Sequence, residues 1–139
     1  MNIYIYSDES GVFDKAHNNY YVFGGIIILG SDSKELWSRK YSSVERIIRD
    51  NKDVATDYEL KATLVTNKEK GKLFRSLNGC FKFGVVIDEK KVLDRIYTSK
   101  KDKQRYLDYA YKIAVKKALE DLIAREVLNP DEVENIYFY

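Results

Sequence analysis

A chain of 139 residues with 45% apolar side chains has the length of one ordinary domain and enough apolar surface for a core without staples. Its single cysteine, Cys80, excludes an intrachain disulfide and suits a reducing compartment. With 24 basic against 22 acidic residues the net charge is +2, so no global field draws the chain to polyanions, and nucleic-acid binding would need a local patch.

Residues 1–6 are apolar and aromatic, with no basic segment ahead of them, which predicts no signal peptide. The longest apolar run, 20–29, is about half of a membrane span. The expectation is a cytoplasmic protein with no membrane partner, folded as a single domain over 1–139.

Residues 3–6, Ile-Tyr-Ile-Tyr, read as a strand that Asp8-Glu9-Ser10-Gly11 ends, and 12–19 as a polar turn. A second strand is predicted over 20–29, where Gly24-Gly25 marks a bulge or a close backbone approach. The short connection predicts an antiparallel hairpin. Asp32 with Glu35 resembles a capping box opening a helix to about residue 50, with Trp37, Tyr41, Val44 and Ile48 on one face.

Residues 51–66 are less regular. Asn67 is the expected cap of a short helix that carries Leu73, Phe74 and Leu77 and stops at Asn78-Gly79. A third strand follows over 80–87, with an apolar end suggesting burial on both faces and Cys80 as a small core residue. After a short helix near 92–97, the clearest element is a helix over 102–127, with Leu107, Tyr111, Ala114, Ala118 and Leu122 on one stripe. Asn129-Pro130 breaks it, and 136–139 read as a fourth strand. A helix joining two strands makes a right-handed crossover, so the expected fold is α/β: a mixed sheet with a long C-terminal crossover helix packed on it.

The sharpest chemical feature is the adjacent pair Asp8 and Glu9. Like charges held together repel, and a bound cation removes that cost. Mg²⁺ prefers carboxylates, water and phosphate oxygens. On a strand, however, neighbours face opposite ways, so both ligate only if the strand has already ended. A solvated turn explains the same residues. Glu59-Leu60-Lys61 offers a second carboxylate and a cation for a phosphate, or else an ordinary surface ion pair. Asp88-Glu89-Lys90-Lys91 reads as a turn or helix start, with Asp88 a lesser ligand candidate. Lys100-Lys101-Asp102-Lys103 with Arg105 and Tyr106 is a basic, aromatic cluster that suits a nucleic-acid backbone or a solvated helix start. One histidine, His17, and one cysteine exclude a zinc site built from those residues, and no nucleophile elbow or phosphate-binding glycine motif is present. Twelve tyrosines supply amphipathic packing, with interface or base-stacking roles second.

The opening strand with Asp8-Glu9-Ser10-Gly11, the run Tyr21-Val22-Phe23-Gly24-Gly25-Ile26-Ile27, the triplet Glu59-Leu60-Lys61 and the long helix leading to Ile136-Tyr137-Phe138-Tyr139 resemble the bacterial and phage family described as domain of unknown function 3800. The resemblance spans almost the whole chain. It implies an RNase H-like sheet, carboxylate-bound Mg²⁺ or Mn²⁺, and phosphodiester cleavage in a phage or defence setting. On this resemblance Asp8, Glu9 and Glu59 bind metal, and Asp8, Glu59 and Lys61 are catalytic. Lys61, with Lys101 and Arg105 from the basic cluster, would contact nucleic acid. Family members continue beyond the fourth strand with another Asp-containing motif and a helix, and the expectation is that this part is absent here. The alternative expectation is a catalytically inactive module that binds a protein, such as a phage-encoded inhibitor, or that forms a homodimer.

Overall fold

The computed structural model describes residues Met1–Tyr139. In chain order the strands and helices are β1 (Asn2–Ser10), β2 (Tyr20–Leu29), α1 (Ser31–Lys52), α2 (Asn67–Ser76), β3 (Phe81–Asp88), α3 (Lys100–Ala124) and β4 (Asn135–Phe138), with short 3₁₀ turns between them. The chain divides into two compact units, one of Met1–Ile27 with Lys82–Tyr139 and one of Ile28–Phe81. The second is the helical segment lying between β2 and β3 in sequence, where α1 and α2 pack on each other.

The strands form one mixed sheet in the order β3-β2-β1-β4. β4 runs parallel to β1, pairing Ile3 with Ile136 and Ile5 with Phe138. The ladder continues past β4, where Tyr139 N–H donates to the Ile5 carbonyl and Ser7 N–H donates to the Tyr139 carbonyl. Aromatic rungs reinforce it: Tyr4 stacks on Tyr137 with ring centres 5.3 Å apart, and Tyr6 on Tyr139 at 4.7 Å. Ile3, Tyr4 and Ile5 are consecutive and all buried, so β1 is an inner strand covered on both pleat faces.

The α/β reading, the strand order along the chain and the long helix before the last strand all match the expectation. Several boundaries and caps differ, for local reasons. β1 does not end at Asp8 but continues to Ser10, and Gly11 turns the chain with φ 103°. β3 is not buried on both faces: it alternates, and Val86 is 63% exposed. No side chain caps α1, whose N-cap is Gly30, so the Asp32–Glu35 box does not form. The capping box belongs to α2 and starts one residue earlier than expected: Thr66 accepts from Glu69 N–H, and Glu69 reaches back to Thr66 N–H. The helix expected near 92–97 is a 3₁₀ turn, Asp94–Thr98. α3 stops at Ala124, ahead of the proline, because the amides of Val127 and Leu128 fold back onto the Leu122 carbonyl through Glu126 at φ 57°.

On α3 the predicted stripe holds: Ala114 and Leu122 are buried, and Leu107, Tyr111 and Ala118 are half-buried. Ala110 and Val115 widen it. Gly25 confirms the close approach read from the paired glycines, since a Cβ there would collide with the Tyr6 carbonyl and the Phe83 ring. Cys80 is buried and forms no disulfide.

Candidate functional site

Asp8 and Glu9 occupy the C-terminal end of β1, and both are exposed. Because the strand runs on to Ser10, its pleat directs the two carboxylates to opposite faces. Ser7 fixes which face is which. Its hydroxyl shares a 2.8 Å hydrogen bond with the Tyr111 hydroxyl on α3, so Ser7 and Glu9 belong to the α3 side. Asp8 falls on the other side, with Tyr6 and its stacked partner Tyr139. One Asp8 oxygen, Oδ1, accepts the Glu9 N–H at 2.9 Å, which fixes the side chain and leaves Oδ2 without a hydrogen bond or ion pair.

A third carboxylate belongs to the same unit, and sequence reasoning passed over it. Glu89 follows β3 and is fully buried, although an acidic residue beside Asp88, Lys90 and Lys91 reads as surface. Its backbone N–H donates to the Asn19 carbonyl at 2.9 Å. Its Oε1 accepts from the Tyr97 hydroxyl at 3.2 Å, and its Oε2 has no hydrogen-bond partner. The aromatic neighbours Phe13, Tyr21, Tyr97 and Tyr106 pack edge to face or stacked around Phe13. Burial raises the Tyr21 phenol, and the charges of Glu9, Asp8 and Glu89 raise it further. Tyr21 is thus the group that feels all three acids. Tyr97 is pushed up strongly by burial, then by the charge of Glu89 and the hydrogen bond to it. The signal that could have found Glu89 is a carboxylate eight residues before a tyrosine in a segment otherwise apolar on one face.

Glu59 and Lys61 are exposed members of the helical unit and make no ion pair with each other. A short turn joins them, with Lys61 N–H on the Glu59 carbonyl at 3.1 Å. Lys101 and Arg105 are exposed one turn apart on α3, just after the Ser99 cap that accepts from Asp102 N–H. Asp88 caps the turn at Glu89–Lys91 by accepting from Lys90 N–H, as a turn residue should. His17 is paired with Asp14, whose carboxyl is held below its usual range chiefly by that hydrogen bond.

Nowhere do three His, Cys, Asp or Glu side chains gather closely enough to hold a metal ion by themselves. Mg²⁺ asks for less, since one or two carboxylates with water and substrate phosphate suffice. Asp8, exposed with a free oxygen at the open end of an inner strand, fits that smaller requirement. Glu9 points to the opposite face. No helix is long and apolar enough to cross a membrane.

No protein-family model, curated protein or solved structure matches the chain.

Proposed function

We propose that the chain is an RNase H-like, divalent-metal-dependent phosphodiester hydrolase of the cytoplasm, acting in a phage or defence setting, with Asp8 as its central carboxylate. The observation that carries this reading is the place of Asp8. It lies two residues before the end of the inner strand of a sheet ordered β3-β2-β1-β4, with β2 on one side of β1 and the parallel strand β4 on the other. Open α/β sheets bind ligands beyond the carboxyl ends of their strands, where the strand order reverses. β1 is that reversal point.

Mg²⁺ or Mn²⁺ held there would supply positive charge to a phosphodiester oxygen and acidify a water. Asp8 contributes an oxygen already oriented by the Glu9 amide. Glu59 as a further ligand, Lys61 as a phosphate contact, and Lys101 with Arg105 as contacts to the nucleic-acid backbone enter from the sequence pattern. Glu9 is retained as a residue that shapes the field around Tyr21 rather than as a partner of Asp8 on one ion.

The test is cleavage of labelled single-stranded DNA and RNA with Mg²⁺ and with Mn²⁺. Asp8→Asn is expected to reduce cleavage to background while circular dichroism and melting temperature stay unchanged. Cleavage by the variant at the wild-type rate would overturn the proposal.

A second reading, a catalytically silent protein-binding module or homodimer, is favoured by β4. This strand stands at the edge of the sheet with Ile136, Tyr137 and Phe138 all exposed. A partner retained by the Asp8→Asn, Glu59→Gln double variant, with nuclease assays silent throughout, would select it.

A further inference from the structure

The helical unit contains a cavity that none of these residues lines. About 390 Å³ in volume, it is bounded by Trp37, Lys40, Ser43 and Val44 of α1 and by Arg75, Ser76 and Asn78 at the end of α2. That is within the range of small-ligand clefts, roughly 300–1,000 Å³. Its lining has two cations, three neutral hydrogen-bonding side chains and no acid. Residues 37, 40 and 44 recur at helical spacing, which puts them on one face of α1.

Neither cation is spent elsewhere. Arg49 is held by Glu45 and by the carbonyls of Ala55 and Tyr58, and Lys52 by Glu69. Lys40 and Arg75 make no ion pair. The Lys40 ammonium instead sits over the Trp37 ring at 4.3 Å, a cation–π contact that keeps its charge at the cavity. Trp37 is itself fixed, because its ring occupies the space that any Cβ at Gly79 would need. Arg75 lies back across Gly71, where a Cβ would come within 3.2 Å of its Nη1. Three of the last four carbonyls of α2, which would repel an anion, already have donors: Leu73 from Ser76 Oγ, Phe74 from Leu77 N–H, and Arg75 from Asn78 N–H.

We infer that this cavity binds a phosphate group, with Lys40 and Arg75 as its charged contacts and Ser43 and Asn78 as neutral ones. The phosphate comes either from the backbone of a single-stranded nucleic acid or from a free phosphate ion. The site uses none of Asp8, Glu59 or Lys61, so it stands whether or not the chain hydrolyses anything.

Trp37 is the sole tryptophan, and its fluorescence reports on the cavity directly. Full-length protein is titrated with a mixed-sequence twelve-nucleotide single strand, with inorganic phosphate, and with polyglutamate, at several salt concentrations. A saturable Trp37 response to the oligonucleotide is expected. Each of Lys40→Gln and Arg75→Gln should weaken it and lower the slope of log affinity against log salt by about 0.7, the value for one phosphate contact to a single strand. A response to inorganic phosphate lost in the same variants assigns the site to the free ion. Asp8→Asn should leave the response intact, which separates this site from the hydrolytic proposal. No Trp37 response to either phosphate source, a response that survives both variants, or an equal response to polyglutamate would overturn the inference.

Discussion

Glu89 shows how one residue escapes a pattern-based reading. Three charged neighbours, Asp88, Lys90 and Lys91, make it look like part of a solvated turn. Its side chain instead enters the aromatic cluster and is fully buried, with only the Tyr97 hydroxyl as a donor. Burial first, and then nearby carboxylate charge, make ionisation of the surrounding phenols unfavourable, so Tyr21 and Tyr97 are both raised. The sign of the pH effect follows. In the unfolded chain these phenols lose their protons near 10.0, whereas the folded protein retains them. Above that pH the folded state binds more protons than the unfolded state, so stability is complete below about 10 and declines as pH rises further. Urea denaturation from pH 8 to 11 should show this decline, and Tyr97→Phe should make it shallower by removing one titrating group. An identical decline in the variant would separate Tyr97 from the effect.

At the scale of elements, residue spacing located the structure well, while caps and strand ends were less legible. The stripe on α3 is read from spacing because side chains that repeat every three to four residues must share a face. The caps follow competition between nearby residues. Asp32 and Glu35 have suitable spacing, but Gly30 takes the N-cap position of α1, and no side chain serves it. Thr66 outcompetes Asn67 for α2 because Glu69 completes the reciprocal box only with Thr66. Thr66→Ala should therefore destabilise the protein by about 1 kcal/mol, measured by urea unfolding, whereas Asn67→Ala should lose no cap. The order of those two effects would reverse if Asn67 were the true cap. β1 runs beyond the end expected at Asp8, although Asp and Glu are poor strand formers. The ladder to Tyr139 holds β1 as far as Ser7, and the chain turns only at Gly11.

For the whole molecule, topology was more legible than chemistry. A strand pair, a helical insert, a third strand, a long helix and a last strand restrict the sheet to few arrangements, and the parallel pairing of β4 was expected from the crossover. Which neighbour β4 would choose was not evident, since aromatic rungs such as Tyr4 on Tyr137 form between residues far apart in sequence. The site was legible only in part for the same reason: Asp8 could be singled out from its place after a strand, but the face it shares with Tyr6, and the charges converging on Tyr21, depend on pairing no local pattern encodes. The claim on which the functional account rests is that the exposed Asp8 carboxylate near the end of β1 binds a divalent cation. Electron paramagnetic resonance of Mn²⁺ titrated into the protein measures this without any substrate. The account predicts saturable loss of the free Mn²⁺ signal with the native protein and almost none with Asp8→Asn; equal binding by both proteins, or binding by neither, would contradict it.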